Sequence, residues 1–107
     1  MNEGSTISVN APLWRSAGGN GGDWYFVSIG GAAGEALSAH ALMDRLERGK
    51  GRGWGSVKVQ VTVGDSQWST SAFPLKNSGW AIPVKLAVRR AEGLVEGQPV
   101  AIALELA

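Results

Sequence analysis

The run WSTSAFP, residues 68–74, sets three hydroxyl side chains side by side, Ser69, Thr70 and Ser71. A serine becomes a nucleophile when a general base stands within hydrogen-bond reach. The only histidine is His40, which falls beside the apolar residues of a helical stretch, and no Gly-x-Ser-x-Gly elbow surrounds any serine. A hydrolytic triad is therefore not expected. The alternation reads as a strand with Trp68, Thr70 and Ala72 on one face and Ser69, Ser71 and Phe73 on the other, ended by Pro74. Its hydroxyls then bond to neighbouring backbone, or Thr70 or Ser71 points into a cavity and orients a small ligand.

Two basic stretches invite an anion. RGKGRGWG carries Arg48, Lys50 and Arg52 among glycines whose amides can form an anion nest, so Lys50 and Arg52 are candidate anion ligands. The spacing matches neither a phosphate-binding loop nor a dinucleotide fingerprint, and a helix stop feeding a strand is the favoured reading of the glycines. KLAVRRAEG clusters Lys85, Arg89 and Arg90, but Glu92 and Glu96 dilute the patch, so one arginine is expected to turn inward to barrel-end carbonyls or Glu105. With one histidine, no cysteine and no Asp-x-Asp-x-Asp-Gly loop, no metal is expected, and no cofactor.

The five tryptophans, Trp14, Trp24, Trp54, Trp68 and Trp80, carry most of the aromatic surface of the chain. An indole needs apolar area and a partner for its N–H. Trp54, Trp68 and Trp80 each open a strand and are expected to gather at one barrel end. They either plug the barrel or wall a pocket with Thr70, Ser71 and Arg89 as polar anchors.

The elements that must position these residues are legible from periodicity. STISVNAPLWRS alternates Ile7, Val9, Ala11 and Leu13 against Ser8, Asn10, Pro12 and Trp14, with Pro12 marking an edge or a bulge. A glycine-rich turn joins it to a second strand, DWYFVSI. Residues 34–48 change to helical spacing, with Ala36, Ala39, Leu42, Met43 and Leu46 on one stripe. WGSVKVQVTV turns its four valines inward, and GDSQ leads to the hydroxyl strand. WAIPV, a short helix over 85–92 and the strand PVAIALEL complete the chain. The links after Gly55 are too short for parallel crossovers, which favours a curled antiparallel sheet or small barrel.

Composition bounds the rest. The 107 residues fit one domain, the net charge of +1 gives no general attraction to nucleic acid, and no apolar run approaches the ~18 residues of a membrane helix. The absence of cysteine suits a reducing cytoplasm.

The order of these motifs resembles the bacterial family known as domain of unknown function 1905. The resemblance rests on Gly53 and Gly55, on Trp68, Thr70, Ser71, Phe73 and Pro74, on Pro83 and Lys85, on the run Val88, Arg89, Arg90, Ala91, Gly93, Leu94 and Gly97, and on Glu105. It implies a mainly β double-split β-barrel, a pseudobarrel capped by strand-helix-strand units, and no defined activity. Three expectations follow for function: a module binding a small molecule or a protein partner at its Trp-rich end, as a monomer or weak homodimer; an enzyme using the barrel cavity for a cyclisation or proton transfer; or weak nucleic-acid binding through the basic loop and helix.

Overall fold

A computed structural model describes residues 6–16, 23–48, 55–76 and 79–106. The elements run β1 (Thr6–Ser16), β2 (Trp24–Ile29), α1 (Gly31–Arg48), β3 (Val57–Val63), β4 (Ser66–Pro74), β5 (Trp80–Pro83), α2 (Leu86–Glu92) and β6 (Pro99–Leu106). Six strands close an antiparallel barrel in the order β1-β2-β5-β4-β3-β6. The expected element order and barrel class hold. Among the described residues no helix is long and apolar enough to cross a membrane.

Period-two alternation fills the interior. Val57, Val59, Val61 and Val63 of β3, Val100, Ile102 and Leu104 of β6, and Trp80 and Ile82 of β5 are all buried, joined by Leu13, Val27 and Ile29. Burying each such side chain contributes about 1.5–3 kcal/mol, so the inward face of every strand is set by its own sequence.

Two strands change neighbours midway. β1 pairs with β6 over residues 6–12 and with β2 over 13–16. β4 pairs with β3 over residues 66–72 and with β5 at Phe73 and Pro74. A proline stands at each parting. In an antiparallel ladder a residue directs its N–H and C=O to the same neighbour, and alternate residues point to opposite sides. The Leu75 N–H donates to the Gly79 carbonyl at 3.0 Å and Phe73 faces Ala81, so the odd-numbered residues of β4 point to β5. The next pair in that register is Ser71 with Pro83, which has no N–H. The Val84 N–H turns the other way, to the Tyr25 carbonyl of β2 at 2.9 Å, which leaves the Pro83 nitrogen on the β4 side. The ladder stops there. By the same reasoning the Leu13 N–H goes to the Gln98 carbonyl at 3.1 Å, so Trp14 and Pro12 point to β2, and beyond the Trp14–Phe26 pair Pro12 has nothing to donate to Ser28. Pro12 thus occupies a local edge, as its chemistry requires.

The helix α1 begins three residues earlier than its periodicity suggests, and it meets the barrel on a different face. Ala36, Ala39, Leu42, Met43 and Leu46 all face solvent, with Leu46 at 68% exposure. The buried positions are Gly34 and Leu37, with Ala33 and Ala41 packed beside them. Close approach decides this. A Cβ on Gly34 would lie 2.8 Å from the Ile29 carbonyl oxygen, so only glycine lets the first turns reach the end of β2. Apolar count alone selects the wider stripe, but that stripe has no barrel surface opposite it.

These contacts predict opposite outcomes for two kinds of substitution on one helix. Leu37→Ala should lower unfolding free energy by about 2–5 kcal/mol, while Leu46→Ala should stay within ~0.5 kcal/mol. Gly34→Ala should destabilise although alanine is the better helix former by about 1 kcal/mol. Urea midpoints of the three variants check all of this.

Candidate functional site

The two splits are closed differently. Across the first, the Trp14 indole N–H donates to Ser28 Oγ at 2.7 Å, bridging β1 and β2 just beyond the end of their ladder. Along the second, α2 lies against β4, with its Val88 in the core and the Ser66 hydroxyl donating to Glu92 Oε2 at 2.7 Å. The N-terminal end of α2 stops short of filling the gap. A cleft of about 240 Å³ remains, lined by Trp24, Trp68, Ser69, Thr70, Pro83, Val84 and Lys85.

Strand alternation assigns its parts. Trp68 and Thr70 lie on the inner face of β4 and Val84 continues the inner face of β5, so they form the floor of a window into the barrel. Trp24, 56% exposed, and Pro83 form one wall with Lys85 at the rim. The opposite wall is the edge of β4 at Ser69. Trp24 is held by neighbours rather than swinging free: its ring stacks on Phe26 at 6.3 Å and 15°, and Phe26 in turn meets Trp14 at 4.8 Å. Among the described residues Lys85 has no ion pair. No group of three His, Cys, Asp or Glu side chains among them gathers as a metal site would.

The expected site residues separate. Trp68 and Thr70 come together, with Trp24 as a third member that the strand-start argument passed over. Trp80 is buried at the other end of the sheet, where its indole N–H donates to Ser38 Oγ of α1 at 3.0 Å. It pairs with Pro74, six residues beyond Trp68 along β4 and so about 20 Å away. Trp68 and Trp80 therefore do not gather at one barrel end. β4 and β5 are antiparallel, so residues that open each strand lie at opposite ends; β2 runs with β4, which is why Trp24 and Trp68 share an end. Trp54, Lys50 and Arg52 lie outside the described residues.

The hydroxyl run divides as its alternation requires. The Thr70 side chain falls on the inner face and is half-buried, Ser69 and Ser71 fall on the outer face, and all three border a shallow hollow of about 350 Å³ with Lys58, Gln60 and Glu105. The Ser69 hydroxyl donates to Gln60 Oε1 at 2.7 Å across the β3–β4 ladder. His40 is carried on α1, which docks at the Trp80 end. Among the described residues no histidine stands beside these hydroxyls.

Arg89 turns inward, as one arginine of its helix was expected to. Its Nε donates to the Val84 carbonyl at 3.2 Å, and its guanidinium lies 3.8 Å from the Tyr25 ring centroid. The acceptor is a strand-end carbonyl and not Glu105, and the contact ties α2 to β2 and β5 behind the cleft. Arg89→Met should cost about 1–3 kcal/mol, and Arg89→Lys should recover little of it, because an ammonium reproduces neither the planar stacking nor the Nε geometry. Thermal or urea unfolding of the pair checks this.

No curated protein matches the chain. The family model described as a domain of unknown function (DUF1905) matches residues 10–104, a span that includes both splits, both helices and every wall of the cleft. The chain belongs to the DUF1905 family.

Proposed function

We propose that the protein is a binding module that takes the apolar end of a small ligand, or a side chain of a protein partner, into the window between β4 and β5. The observation that carries this reading is the meeting of Trp24, Trp68, Thr70 and Val84 beside a strand edge whose ladder has ended. Apolar walls with a few fixed polar groups are the usual makeup of a recognition site. The window, at about 240 Å³, is smaller than the ~300–1,000 Å³ that holds a whole drug-sized molecule, so it receives one group of a larger ligand. The Trp24 indole, already stacked on Phe26, loses little freedom when a ligand lands on it, which favours binding over an ordering step.

Titration with phenylacetamide and isovaleramide, followed by the indole and backbone amide signals of isotope-labelled protein, tests the reading. Shifts should centre on Trp24, Trp68, Thr70 and Val84, and Trp24→Ala should weaken binding about tenfold or more while the fold persists. Shifts confined to Trp80 and α1, or absent at saturating fragment, would overturn it.

A further inference from the structure

The wall at Ser69 is main chain, and this says what kind of ligand the window suits. Odd-numbered residues of β4 direct their peptide groups away from β3, because the even-numbered residues Ala72, Thr70 and Trp68 exchange hydrogen bonds with Val57, Val59 and Val61. Toward β5 that pairing ends at Phe73. Among the described residues the N–H and C=O of Ser69 have no ladder partner on that side, and the carbonyl of Ser71 faces a proline nitrogen that cannot donate. α2 occupies the stretch nearer Ser66, so the free edge is short and lies at the cleft.

Resting on the binding reading above, we infer that the occupant of the window is a short extended peptide segment that adds to the β4 edge as a strand. Donor and acceptor groups repeating on alternate residues of one strand, about 6.5–7 Å apart, are complementary to another extended main chain. The segment exchanges hydrogen bonds with the N–H and C=O of Ser69, next to the point where Pro83 ends the β4–β5 pairing. One of its alternate side chains enters between Trp24 and Trp68, and the side chains either side of it point away. The unpaired Lys85 at the rim matches a carboxylate, so the segment carries an acidic residue, or its own C-terminus, beyond the inserted apolar group.

The peptide acetyl-Thr-Phe-Thr-Asp-amide and four versions of it, each N-methylated at one backbone amide of the four residues, test this against the full chain. N-methylation removes a donor without changing side chains. Loss should therefore alternate: about tenfold or more at amides facing β4 and within about twofold at those facing solvent. Amide exchange at Ser69 should slow when the unmodified peptide is added. Ser69→Pro, which removes the cleft-facing N–H but none of the bonds to β3, should abolish peptide binding with the barrel intact. Equal tolerance of methylation at all four amides, with phenylacetamide still shifting Trp24 and Trp68, would overturn strand addition and leave the binding reading standing. Failure of both peptide and phenylacetamide to shift those residues would overturn both.

Discussion

The missing N–H of proline at two places in the barrel governs how this sheet is built. A continuous six-stranded ladder would use every peptide group of β1 and β4 on both sides. Pro12 and Pro83 each stand where the next hydrogen-bonded pair would form, and each has its nitrogen turned to the neighbour that is lost. β1 and β4 therefore lend their halves to different partners, and the barrel carries two gaps in place of a closed wall. A buried backbone group without a partner is costly, so each gap must be covered, solvated or occupied. The first is bridged by an indole reaching Ser28, and the second is only partly covered by α2. The candidate site is the uncovered remainder.

The helices act as fittings on this frame. α1 reaches the barrel through Gly34 and Leu37 and receives the Trp80 indole at Ser38, so it seals the end away from the window. α2 is held by Arg89 at its middle, on the Val84 carbonyl, and by Glu92 at its C-terminal end, on the Ser66 hydroxyl. Gly64 has a left-handed φ of 57°, and the Glu92 carboxylate lies where its Cβ would be, so a side chain there would strain the turn and displace the carboxylate from the Ser66 hydroxyl. With α2 fixed in this way, the width of the window is a property of the fold.

Much of this was legible in the sequence, and the failures have physical reasons. The valines of β3 and the alternation around Trp68 identified inner and outer faces, because a one-residue slip would expose every buried side chain. Pro12 announced an edge by its own chemistry. Pro83 carried the same information, but its consequence depends on which neighbour its nitrogen faces, and that follows only from the pairing register. The expected gathering of Trp68 and Trp80 ignored strand direction, since antiparallel neighbours begin at opposite ends. Trp24 was recoverable by that rule, as β2 and β4 both run against β5. On α1 the wider apolar stripe misled because helical periodicity records side-chain polarity and not how closely a backbone can approach, which Gly34 decides.

The most direct test of the account is the measurement of scalar couplings across hydrogen bonds in protein labelled with nitrogen-15 and carbon-13. The ladders predict couplings from the amide nitrogens of Trp68 and Thr70 to carbonyl carbons of β3, and none from the amide nitrogen of Ser69 to any carbonyl in the free protein. A coupling from Ser69 across to β5 or α2 would show the gap to be closed, and would contradict the proposal that the two prolines leave an edge of β4 open for a partner.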